Sequence, residues 1–142
     1  MVLATFAAHR VPHLCAHLTQ AVQRGVELTL IVESEAESEG QLTHDAIAAF
    51  SRVPSAASRL YYWPLAQRKR NQAGRPGKLH VKCAIVDDVA LIGSANLTDD
   101  AFNRNMELGM IVREAATVDT VARHFEELIL RGVLVKVDAV GK

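Results

Sequence analysis

A chain of 142 residues, 49% of them hydrophobic, is one domain's worth and can bury roughly two-thirds of its unfolded surface. Sixteen basic and sixteen acidic residues cancel, so no global field marks the chain for nucleic acid and any such surface has to be local. No run approaches the ~18 apolar residues of a membrane span, and the opening MVLATFAAHR lacks both a basic leader and an adequate apolar stretch; a soluble, cytoplasmic protein without membrane insertion is expected.

Val2 to Ala7 reads as a first strand, short and rich in β-capable residues. Pro12 fits the first turn of a helix running to about Arg24, with Leu14, Leu18, Ala21 and Val22 as its apolar stripe and Gly25 as its stop. Cys15 lies in that stripe and Cys83 on an apolar strand face, which predicts two buried thiols rather than a disulfide. His13 and His17 stand one helical turn apart, a zinc-ligand spacing, but no third ligand accompanies them and they read as polar flanks of the stripe. Val26 to Val32 follows as a buried strand, and the strand-helix-strand unit predicts a parallel pair.

Glu33 to Glu39, closed by Gly40, reads as a solvated acidic loop. Thr43 to Val53 forms a helix capped by Thr43 with Ile47 and Phe50 inward, and Leu60 to Trp63 an aromatic strand ending at Pro64. The next stretch carries Arg68, Lys69, Arg70, Arg75 and Lys78 with no acid, kept irregular by Gly74, Pro76 and Gly77. Near the end, Ala115 to Arg131 is an amphipathic helix built on Val118, Val121, Phe125, Leu128 and Ile129 and closed by Gly132, and Val133 to Val137 is a last strand. Alternating elements predict a single α/β domain over residues 1–142, a mixed, mostly parallel β-sheet sandwiched between helices.

Between these halves lies LHVKCAIVDDVALIGSAN, residues 79–96. Leu79 to Val86 alternates, Asp87-Asp88 suits a two-residue turn, and Val89 to Ile92 is a short apolar run, the pattern of a hairpin. Residues two apart on a strand share a face, so His80 and Lys82 stand in one row while Leu79, Val81, Cys83 and Ile85 fill the other. Gly93 permits close approach of a ligand to the backbone, and Ser94 and Asn96 add a hydroxyl and an amide. A nucleophile or acid, a cation and two neutral donors suit a phosphate.

At these residues the sequence resembles the phospholipase D superfamily, whose signature H-x-K-x4-D is met by His80, Lys82 and Asp87, and whose following G-S-x-N is met by Gly93, Ser94 and Asn96. Five residues separate Asp87 from Gly93, one fewer than the family usually has. Glu107, thirteen residues after Ser94, stands where single-motif nucleases of the family carry an acid that orients the catalytic histidine. The run SANLTDDAFNRNMELGMIV is also similar to the phospholipase D-like proteins of DISARM phage-defence systems, which implies defence-system protein partners. The resemblance implies the phospholipase D/nuclease fold and a phosphohistidine mechanism without a cofactor or metal. In it His80 attacks phosphorus, Lys82 and Asn96 hold the non-bridging oxygens, and Glu107 fixes the His80 tautomer; Asp87 supports the hairpin more than it reacts. One motif supplies one histidine, so the second comes from a homodimer with its active site at the interface.

The hairpin does not separate nucleic acid from phospholipid. The basic loop, preceded by Tyr61, Tyr62 and Trp63, favours a polyanion backbone and a nuclease, although Tyr61 and Trp63 also suit the core. A phospholipase or phosphatidyltransferase is the second reading, and a non-catalytic nucleic-acid-binding subunit of a defence complex the third.

Overall fold

The computed structural model describes residues 1–54 and 58–137. Seven strands form one sheet: β1 (Val2–Thr5), β2 (Leu28–Val32), β3 (Ser58–Tyr62), β4 (Lys82–Val86), β5 (Val89–Gly93), β6 (Gly109–Val112) and β7 (Val135–Lys136), in the spatial order β6-β5-β4-β1-β2-β3-β7. The mixed sheet with helices on both faces is as expected. Its parallel part, however, is only β1–β2–β3; the other four pairings are antiparallel, and of these β4–β5 is closed by the two-residue turn Asp87-Asp88, too short for a crossover.

Two apolar layers flank the sheet. On one face Leu3, Leu28, Leu30 and Val32 meet Cys15, Leu18 and Val22 of helix α1 (Pro12–Gln23) and Phe50 of helix α2 (Ala46–Phe50). On the other, Ala4, Ile31, Cys83, Ile85 and Ala90 meet Val118 and Phe125 of helix α4 (Ala115–Leu130). The short helix α3 (Asp99–Asn103), which apolar periodicity does not announce, begins at Thr98, whose hydroxyl accepts from Ala101 N at 3.3 Å. Gly25 (φ 90°) and Gly132 (φ 69°) turn the chain out of α1 and α4 in the left-handed region that glycine enters freely. Helix α2 is shorter than its sequence suggests and is capped by Asp45, which accepts from Ile47 N at 2.9 Å, in place of the expected Thr43. Both cysteines are free and buried.

The largest departure concerns the acidic and basic loops. Glu33 is not solvated: it is fully buried and holds a buried Arg68 at 2.6 Å. Glu37 accepts from the Leu65 backbone and Glu39 pairs with Arg70, so the loop after β2 and the loop after β3 neutralise each other. Hydrophobic periodicity cannot report such matching, because the partners lie some thirty residues apart. Tyr61 is buried and Trp63 packs beside the α4 layer with the Arg68 guanidinium 5.1 Å from its ring, which places both in the core rather than on a stacking surface.

Candidate active site

Strand β4 pairs with β1 from Lys82↔Thr5 to Ile85↔Val2 and with β5 from Cys83↔Ile92 to Val86↔Val89. Its odd-numbered side chains, Cys83 and Ile85, are buried, and Lys82 projects from the opposite face. His80 lies just before the strand, outside both ladders, and is exposed. The two nonetheless meet as the period of two requires: Lys82 Nζ is 3.1 Å from His80 Nδ1 and 3.0 Å from Nε2, and 3.4 Å from the His80 carbonyl oxygen. Phe6, which follows β1, closes the group, its ring centroid 4.9 Å from that of His80 and 5.5 Å from the ammonium. Sequence reasoning missed Phe6; its place directly after the strand that pairs with β4 was the available signal.

This packing tunes both groups. Desolvation, then the charges of Lys82 and Lys78, hold His80 below its ordinary pKa, so the ring is kept neutral with a lone pair available. Desolvation also lowers Lys82, opposed by Glu107. Glu107 lies below the ordinary carboxylate range because Ser94 and then Asn105 donate to it, with Lys82 adding a smaller pull.

Ser94 is the link between strands here. Its hydroxyl donates to Glu107 Oε2 and accepts from Leu108 N at 3.0 Å, while its own N–H donates to the Leu108 carbonyl at 3.0 Å. Asn105 Nδ2 donates to Glu107 Oε1 at 3.1 Å. With both oxygens so engaged, Glu107 makes no hydrogen bond to His80 among the described residues; the tautomer-fixing role expected of it is not made within this chain. Asn96 sits on a segment tied to the end of β1 by Leu97 N to the Ala7 carbonyl and His9 N to the Leu97 carbonyl, both 2.9 Å, and its Oδ1 is buried without a partner.

Gly93 has a different task from the one its motif position suggests. It lies opposite Gly109 of β6, and a Cβ at Gly93 would meet the Leu108 carbonyl oxygen at 3.2 Å and Gly109 Cα at 3.3 Å. The close approach made here is that of a neighbouring strand. With no side chain on either residue, the floor beside Lys82 and Glu107 is an open cleft that reaches Leu91 and Leu97.

Two groups of expected site residues fall elsewhere. Asp87 occupies the β4–β5 turn (φ 50°), five residues from Lys82, roughly 16 Å at about 3.3 Å per residue; it shapes the hairpin and does not reach the cleft. In the basic loop, Arg68 is a buried structural cation and Arg70 is tied to Glu39, which leaves Lys69, Arg75 and Lys78 exposed. Among the described residues no three or more His, Cys, Asp or Glu side chains gather as metal ligands, and no helix is long and apolar enough to cross a membrane.

A family profile described as "Cardiolipin synthase, PLD-like domain" matches residues 1–129. Cardiolipin synthase A of Pseudomonas entomophila (strain L48) is 31% identical over 107 residues, which cover 75% of this chain and 20% of that protein; the chain thus spans about a fifth of this curated relative. Its architecture is similar to that of NucT from Helicobacter pylori, with a TM-score of 0.76 at 18% identity over 96% of this chain and 80% of that one. It is similar as well to Nuc from Salmonella typhimurium, described as a phospholipase D family member, with a TM-score of 0.68 at 20% identity over 98% and 80%.

Proposed function

The chain belongs to the phospholipase D-like family, its profile match covering residues 1–129, and from that premise we propose a metal-independent nuclease that acts as a homodimer through a phosphohistidine intermediate. The observation that carries this reading is the His80–Lys82 pair: burial, then an ammonium 3.0–3.1 Å from both ring nitrogens, favours the neutral imidazole, and Lys82 lines a cleft that also holds Glu107. The neutral ring attacks phosphorus; the P–N bond forms as the bond to the leaving oxygen breaks, and a second copy's His80, taking part in its protonated form, supplies that oxygen's proton and is left neutral. Water then attacks the phosphohistidine, giving its proton to the same second histidine and restoring His80. Lys82 and Asn96 hold the non-bridging oxygens, where a preorganised cation and amide serve in place of a metal ion.

The need for a second copy is supported by the surface around the site. Leu91 and Ile111, cross-strand neighbours on the cleft face, are 50% and 55% exposed, and Met106 and Leu108, which flank Glu107, are more exposed still. A twofold contact across this face buries apolar area and brings two motifs together. Nucleic acid is favoured as substrate because Lys78, two residues from His80, and the nearby Lys69 and Arg75 remain free to track a phosphate backbone. The two buried thiols support a reducing, cytoplasmic setting, and the run at residues 94–112 supports a place in anti-phage defence with protein partners of such a system. Cleavage of lipid phosphodiesters is the second reading, favoured by the likeness to cardiolipin synthase A and by the same apolar face.

The deciding experiment incubates the purified protein with labelled DNA, RNA and phospholipid vesicles in EDTA, beside His80→Ala. Nucleic acid cut in EDTA by the wild type and not by the variant is expected, with a loss of roughly 10³-fold or more. Cleavage that appears only on adding a divalent metal ion would overturn the mechanism, and cleavage of lipid alone would reverse the order of the two readings.

A further inference from the structure

The nucleophile sits on a stretch of chain that no strand holds. Residues 77–81 belong to no element, and β4 enters its ladder only at Lys82, opposite Thr5. The backbone leading to His80 is tied instead to the buried pair Glu33–Arg68, through the Gly77 carbonyl and the Leu79 N–H. Glu33 ends at the C-terminal side of β2 and its carboxylate accepts four hydrogen bonds: Oε1 from Ser34 N at 3.1 Å and Arg68 Nη2 at 2.6 Å, Oε2 from Arg68 Nη1 at 2.8 Å and Leu79 N at 3.0 Å. Arg68 gives its remaining donors to backbone carbonyls, that of Trp63 from Nε at 3.0 Å and again from Nη2, and that of Gly77 from Nη1 at 3.2 Å. A guanidinium has five N–H groups, and all five are used.

Stability alone is a poor account of this arrangement. Two ions taken out of water gain little over an apolar pair of equal volume, because desolvation offsets their attraction. An apolar pair could not, however, offer an acceptor to Leu79 N–H or a donor to the Gly77 carbonyl. Those two groups bracket Lys78, two residues before His80, and the Leu79 side chain is itself buried. We infer that Glu33 and Arg68 are positioning residues for the phosphodiesterase site: acting through Gly77 and Leu79, they set the depth and angle at which the His80 ring meets Lys82 and Phe6. This inference rests on the functional reading above, since it supposes that His80 is the attacking group. A displacement of about 1 Å in such a group lowers turnover on the order of 10²-fold.

The test compares wild type with Glu33→Gln, Arg68→Lys and the double variant Glu33→Leu/Arg68→Met, which replaces the ion pair by an apolar one. Four quantities are read: thermal unfolding, turnover of bis(4-nitrophenyl) phosphate, hydrogen exchange at the Leu79 amide, and the NMR titration of the His80 ring. The double variant is expected to melt close to wild type, to lose roughly 10²-fold in kcat with KM changed by less than about threefold, and to exchange its Leu79 amide at least about tenfold faster. His80 should titrate nearer to 6.5 as its ring gains access to water. A double variant that folds and turns over at the wild-type rate would overturn the inference, as would an unchanged Leu79 exchange. Should the double variant not fold, Arg68→Lys, which keeps the charge but not the fork, is expected to show the same split between kcat and KM. If wild type does not cleave the diester, the functional reading fails by itself, and Leu79 exchange with the His80 titration still decides whether the pair governs this segment.

Discussion

The two halves of the sheet are finished differently. In β1–β2–β3 both faces are covered, and Leu28, Leu30, Ile31 and Val32 are all but inaccessible between α1, α2 and α4. In β4–β5–β6 only the α4 side is covered; the other face carries Lys82, the glycine pair and exposed Leu91 and Ile111. One half is packed on both faces and the other leaves apolar residues of one face exposed. The chemical groups collect at the seam, where β1 meets β4.

Substitutions matched across this seam give the largest contrast. Leu91→Arg with Ile111→Arg should change stability by no more than about 0.5 kcal/mol per site, yet halve the mass seen by light scattering from about twice 15.5 kDa and remove activity at low concentration. Phe50→Ala, in the covered half, should cost about 3–5 kcal/mol in thermal unfolding while the molecules that stay folded keep their mass and turnover. A fully active arginine monomer would erase the distinction.

A smaller effect comes from protons. Below pH 6.5 the folded chain holds fewer protons on His80 than the unfolded chain does, so the stability linked to this group is complete above pH 6.5 and is lost as pH falls through the lowered folded value. Glu107 acts in the same sense at more acid pH, its contribution present above 4.5 and lost below. The acid limb of small-diester turnover should therefore lie below pH 6.5, and Lys78→Ala should move it upward by removing one of the charges that oppose protonation. An unmoved limb would mean that burial and Lys82 set the ring without Lys78.

The smallest effect belongs to the loop beyond the seam. Replacing Lys69, Arg75 and Lys78 by Ala should flatten the log–log salt dependence of oligonucleotide binding, measured in a His80→Ala background, by at most about two to three units. Unchanged slope and affinity would make the loop a bystander and advance the lipid reading.

Much of this was legible in the sequence because it is local. Periodicity over Leu79 to Val86 gave the faces of the hairpin, and Pro12 with Gly25 bracketed α1 to within a residue or two. What escaped was non-local. Nothing near Arg68 announces that its partner is Glu33, thirty-five residues earlier, and a run of basic residues reads as solvated whether or not one member is buried. The same holds for Phe6, whose contact with His80 depends on the register of β1 against β4, and for Gly93, whose constraint comes from Gly109. Motif spacing also joined Asp87 to a site that the length of β4 keeps it from reaching.

Strand β6 bears on how this chain behaves at high concentration. It is one of the two edge strands, Gly109–Val112, without a charge of its own, and Arg113 stands at its end. A neutral, apolar rim with open backbone groups is a template on which another chain can polymerise as readily as pair. Newly made protein is thus exposed to misassembly while this rim stays uncovered, and the charge of Arg113 at its end works against continued stacking.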